Sequence, residues 1–134
     1  MSYCENWNQK YGGSIYFLAR ILVGFMFFTH GAGKLFGWFG GKAMGFSGMM
    51  GLAGIIEFVV GLTVILGIFT RLMASLGGLL MLAAYFMAHR PENFNILSAG
   101  GELPLLYLVA FLMLTISGNG KWSLESKLFG KEKF

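Results

Sequence analysis

An all-α, polytopic membrane protein, built as a four-helix transmembrane bundle, is the fold this sequence predicts, and three observations predict it. Residues 14–36, 48–67, 72–88 and 103–117 form four apolar blocks, each close to the roughly 20 residues a spanning helix needs. Hydrophobic residues make up 56% of the chain and charged ones only 12%, with a mean hydropathy of +0.68. That is about half the charge of an ordinary soluble domain. The 21 glycines supply the third observation. Gly24 with Gly31, Gly54 with Gly61, and Ala74 with Gly78 recur at helical spacing, which lets helix backbones approach closely in lipid. Spans and short connections use up the 134 residues, so the chain reads as a single membrane domain over residues 1–134 with no room for a soluble catalytic domain.

Each block has its own reason to be a helix. The first has an apolar run longer than a signal core and shows no small-x-small cleavage site, so it reads as a retained span. Within it Arg20, Phe27 and Lys34 recur every seven residues, while His30 and Lys34 are four apart and share a face. The second block carries one charge, Glu57, near its middle. The third and fourth are short and would cross with little tilt. After them, residues 121–134 place Trp122, Leu124, Leu128 and Phe129 among lysines and two glutamates, the pattern of an interfacial helix that anchors the chain to the membrane surface. The string Lys34-Leu35-Phe36-Gly37 returns as Lys127-Leu128-Phe129-Gly130. Its flanks differ and the two copies fall on opposite faces, so it reads as coincidence rather than a repeat.

Four spans put both termini on one side. Lys10, Arg71, Lys121, Lys127, Lys131 and Lys133 lie on that side, against Lys34, Lys42 and Arg90 on the other, so the positive-inside rule places both termini in the cytoplasm. The formal charge of +4 then faces lipid headgroups. The expected partner is the bilayer, and nothing resembles a nucleic-acid module. Cys4 is the single cysteine, which excludes an intramolecular disulfide and any dithiol exchange by this chain alone.

The candidate site is polar and lies inside the apolar blocks. A carboxylate at the centre of a span is costly and commonly functional. At about 1.5 Å per residue, His30 lies about 9 Å, Glu57 about 13 Å, and Tyr85 and Tyr107 each about 6 Å below the outer ends of their spans. His89 sits at the mouth. These residues can share a pocket in the outer half of the membrane. Arg20, about 9 Å from the inner end, can reach toward Glu57 from below or snorkel to the headgroups. A buried Glu57 is either protonated or paired with Arg20 or His30. It serves either proton transfer and head-group binding, or simply helix register.

Several strings carry a family resemblance: Arg20-Ile21-Leu22-Val23-Gly24, then His30-Gly31, Lys34-Leu35 and Gly37, then Glu57, Gly61 and Leu66-Gly67-Ile68-Phe69-Thr70-Arg71. The ending adds Gly100-Gly101-Glu102-Leu103, Leu105-Leu106-Tyr107-Leu108 and Ser117-Gly118, then Gly120-Lys121-Trp122-Ser123-Leu124. In this order the chain resembles the DoxX family of small prokaryotic membrane proteins, with Glu125 standing where the family pattern often has Asp. The resemblance implies a four-helix protein of the cytoplasmic (inner) membrane. It links some members to thiosulfate oxidation with quinone as acceptor, and others to oxidoreductase assemblies handling oxidative or thiol stress. Its polar motif positions fall on Arg20, His30, Lys34, Glu57 and Glu102.

Two functional classes follow. In the first, the chain is the membrane subunit of a redox system. Its pocket binds a quinone, with Glu57 and His30 in the proton chemistry and Arg20, Lys34, Tyr107 and Glu102 around the bound group. A redox-enzyme partner subunit would supply electrons. The alternative is a proton or small-solute transporter, built as a homo-oligomer on the glycine faces, or an assembly factor without redox chemistry. Haem held by His30 and His89, or a metal on His30, His89, Glu57 and Glu102, has suitable ligand types but no supporting motif. The nine methionines read as apolar filler.

Overall fold

The structure is a computed structural model that describes residues 2–88 and 100–132. Those residues form helices α1 (Tyr3–Trp7), α2 (Gly13–Phe36), α3 (Gly48–Leu66), α4 (Thr70–Ala88), α5 (Glu102–Ser117) and α6 (Leu124–Phe129), with no strand among them. α2 to α5 are the four expected spans. Three of the helices are long and apolar enough to cross a membrane, and α5 is a shorter apolar helix.

The first span begins earlier than the hydropathy suggests. A π-helical segment, Asn8–Gly12, joins α1 to α2, giving a helical run of 34 residues from Tyr3 to Phe36. At about 51 Å it exceeds a hydrocarbon core of about 30 Å, so its first turns extend past the bundle. Ser2 and Glu5 start it with a reciprocal capping box, a signal present in the sequence but masked by its polar surroundings. The Lys-Leu-Phe-Gly recurrence also has a local meaning. Gly37 and Gly130 both end helices in the left-handed conformation, at φ 73° and 70°, and glycine adopts that conformation without a Cβ penalty.

Glycines set the closest packing. An added Cβ on Gly31 would meet the Phe58 backbone nitrogen at 2.3 Å and the Gly54 oxygen at 2.8 Å, and one on Gly61 would meet the Phe28 nitrogen at 2.4 Å and the Gly24 oxygen at 2.7 Å. The antiparallel α2 and α3 therefore touch backbone to backbone, Gly24 opposite Gly61 and Gly31 opposite Gly54, as packing in lipid permits. On the other side Gly77 of α4 lies under the Phe111 ring of α5. Between these two pairs Phe27, Val60, Val64, Ala74 and Phe111 fill the bundle centre, all essentially inaccessible.

Both ends of the described chain and the α3–α4 turn gather at one end of the bundle, the terminal end. Arg20 is fully buried there (0% exposed). Its guanidinium donates to the carbonyls of Asn119, Lys121 (3.4 Å) and Trp122 (3.1 Å), and it lies 5.2 Å from the Phe17 ring centre. Glu125, also fully buried, accepts from the Phe69 backbone N–H at 3.0 Å and from the Asn119 side chain. Its own N–H donates to the Gly67 carbonyl at 3.1 Å. Thr70 donates to Asn119, and Tyr16 to the Gly118 carbonyl. Phe69 and Trp122, non-glycine residues at φ 49° and 55°, are held in that strained backbone region by these contacts.

Two expectations are corrected here. Arg20 neither reaches Glu57 nor snorkels to the headgroups, because the tail folds back and its carbonyls surround the guanidinium. The tail, expected as an interfacial anchor, is in addition docked onto the bundle. Its helical part is confined to Leu124–Phe129, although Trp122, Leu128 and Phe129 still point outward.

Gly31→Val should destabilise the bundle by about 1–3 kcal/mol through overpacking, whereas Gly78→Ala, whose new methyl would find neighbours at 3.6 Å and 3.7 Å, should be near neutral. Thermal unfolding in detergent compares them, and equal stability would refute the backbone seam. Arg20→Met should leave buried carbonyls without donors, at about 1–3 kcal/mol, and Arg20→Lys should rescue it poorly because a single ammonium nitrogen lacks the planar spread of the two guanidinium nitrogens that reach these carbonyls. Hydrogen exchange over residues 119–129 should rise in both, and unchanged protection would show that the tail is held by something else.

Candidate functional site

The opposite, distal end of the bundle is built differently. Side chains lean toward the N-terminus of their own helix, so on the antiparallel pair Lys34 leans inward along α2 while Glu57 leans outward along α3. They meet as an ion pair with Lys34 Nζ 2.5 Å from Glu57 Oε1. The partner of Glu57 is thus Lys34, and the sequence expectation of Arg20 or His30 is corrected. Glu57 is 3% exposed and Lys34 is half-buried.

This pair forms part of the wall of a cavity of about 290 Å³ between the two helix pairs. α2 contributes Phe27, His30 and Lys34, α3 Met50 and Glu57, α4 Met81 and Ala84, and the α5 region Gly100, Leu103, Pro104 and Tyr107. The walls are mainly apolar, with four polar groups converging. The Tyr107 ring stands 5.2 Å from Phe27 and edge-on to His30 at 5.8 Å between ring centres. Two buried oxygens on this cavity, Glu57 Oε2 and the Tyr107 hydroxyl, have no hydrogen-bond partner among the described residues. Orphaned buried polar groups are uncommon and costly, and a bound polar molecule is one way to satisfy them.

The structure therefore brings together four of the six predicted site residues: Glu57, His30, Lys34 and Tyr107. Arg20 lies at the terminal end. Glu102 is exposed in the first turn of α5, where the helix dipole favours an acid, and it is off the cavity wall. Tyr85 is buried but does not line the cavity. His89, invoked for haem or metal, lies outside the described residues. Among the described residues no cluster of three His, Cys, Asp or Glu side chains forms a metal-binding group. Met50, Met81 and Pro104 were missed because apolar residues in a span carry no sign of which face is lined. Met81 alone could have been found, as the continuation of the Ala74 and Gly78 stripe.

Comparison with known proteins bears on the same segments. Residues 15–90, which hold Arg20, His30, Lys34 and Glu57, match the DoxX family model. An uncharacterized protein of Haemophilus influenzae is 39% identical over 125 residues, covering 87% of this chain and 93% of the relative. The inner membrane protein YqjF of Escherichia coli is 35% identical over 118 residues, covering 83% of this chain and 89% of the relative. No solved structure matches significantly. The family model covers over half of the chain, these two relatives align along nearly all of their length, and the apolar helices bundle as described; the chain belongs to the DoxX family of membrane proteins.

Proposed function

We propose that the chain is the membrane subunit of a redox system and that the cavity beside Lys34 and Glu57 receives a quinone head group. One observation carries the reading: two unpartnered buried oxygens, one on an acid and one on a phenol, face a mainly apolar cavity within the membrane-spanning part of the bundle. Its volume is at the small end of ligand clefts, and its few polar groups suit a flat, apolar ring with carbonyl oxygens. Reduction of such a ring takes up two electrons and two protons. Tyr107 would donate a hydrogen bond to one carbonyl, and Lys34 or His30 to the other. Glu57, held at Oε1 by Lys34, keeps Oε2 available to pass a proton. A partner enzyme would bring the electrons.

Transport is the competing reading, and the packing below the cavity weighs against it. Phe27, Val60 and Phe111 are at most 1% exposed and separate the cavity from the Arg20 layer, which favours a site entered from one end over a passage. The basic residues at the terminal end and the inner-membrane relative support an inner-membrane protein with both termini in the cytoplasm.

Binding of a short-chain quinone to the protein in nanodiscs, followed by competition with a photoreactive analogue, tests the site. Tyr107→Phe should weaken binding about tenfold, the scale of one lost hydrogen bond to a buried group, whereas Glu57→Gln should slow quinone-linked turnover by removing the proton relay, the fold persisting in both. Wild-type affinity in Tyr107→Phe together with unchanged turnover in Glu57→Gln would sink the assignment. Orientation has a separate test in Cys4, which is exposed beyond the terminal end. An impermeant maleimide should label it only after intact spheroplasts are permeabilised, and labelling without permeabilisation would invert the topology.

A further inference from the structure

A second cavity, of about 360 Å³, opens at the distal end on the other side of Lys34, and we propose that it holds the phosphate of an anionic phospholipid. Its cationic groups are Lys34 and Lys42, with the His30 ring beside them, and no carboxylate lines it among the described residues. Glu57 already offsets the charge of Lys34, whereas Lys42 makes no ion pair among the described residues. The cavity therefore carries uncompensated positive charge at the end of a span, at the level where lipid phosphates lie.

The wall is built rather than incidental. The Met44 backbone N–H donates to the Lys34 carbonyl at 2.6 Å, tying the connection after α2 down onto the helix. Gly41 is pressed against Gly33 so closely that an added Cβ would lie 2.5 Å from the Gly33 Cα. Lys42 is thus carried over the same opening as Lys34.

The rim identifies the ligand as a lipid rather than a free anion. Trp38, Phe39 and Met44 border the cavity and are exposed, as side chains at a membrane interface are. Phe39 stands edge-on to Phe25 and Phe28, at 6.2 Å and 6.4 Å, so an apolar track continues from the rim along the outside of α2. An acyl chain would gain from that track, whereas inorganic phosphate would gain nothing.

Native mass spectrometry of the full chain released from vesicles of phosphatidylglycerol and phosphatidylcholine reads the occupancy directly. The wild type should retain one phosphatidylglycerol in preference to phosphatidylcholine. Lys42→Gln should retain it about fivefold less, the share of one lysine near a headgroup, and Lys42→Arg should restore it. Lys10→Gln, at the terminal end, should behave as wild type. Undiminished retention in Lys42→Gln, equal loss in Lys10→Gln, or displacement of the lipid by millimolar inorganic phosphate would each overturn the proposal. Lys42 does not line the Glu57 cavity, so quinone binding by Lys42→Gln separates a failure here from a failure of the redox reading.

Discussion

Inside a bilayer a polar group has no water to turn to, so every buried donor and acceptor must be satisfied by the protein or by something the protein holds. This chain meets that constraint in opposite ways at its two ends. At the terminal end Arg20 and Glu125, both fully buried, are joined through Asn119 and the tail carbonyls, and Arg20 Nε lacks a partner among the described residues. At the distal end the Lys34–Glu57 pair is compact, yet the second oxygen of Glu57 and the nearby Tyr107 hydroxyl are left over. The first arrangement is closed and structural. The second leaves two buried oxygens unpartnered among the described residues.

A dry aromatic layer keeps the two ends apart. Phe27 packs edge-on to Phe111 at 4.7 Å between ring centres, and Val60 and Val64 seal the α3 side. The layer rests on small residues, since α2 and α3 meet at Gly24, Gly31, Gly54 and Gly61, and Gly77 admits the Phe111 ring. Glycine on these faces thus serves both association and the placement of large rings at the centre.

The tail belongs to the bundle for the same reason. Arg71 pairs with Glu132 at 3.1 Å and caps the carbonyls of Thr115 and Ile116 at the end of α5, while Glu132 accepts from the Asn119 N–H. Cations at a helix C-terminus are favoured by its dipole, and here one arginine binds both the helix end and the returning chain. The exposed Trp122 and Leu128 remain available to the membrane surface, so docking and interfacial contact coexist.

The sequence by itself determined the four apolar blocks, the small-residue spacings on the first three, and the presence of ionisable groups within them, because length, hydropathy and helical spacing are local properties. It also placed His30, Glu57 and Tyr107 at compatible depths, since depth follows from counting residues along a helix of fixed rise, although the same count gave Tyr85, which is off the cavity. Only the tertiary structure decided which of these groups meet. Lys34 rather than Arg20 reaches Glu57 because antiparallel helices lean their side chains toward one another, and the rotation of each helix about its axis is set by its neighbours. Likewise Arg20 finds the carbonyls of residues about a hundred positions later in the chain, and no local pattern records a partner brought in by the fold.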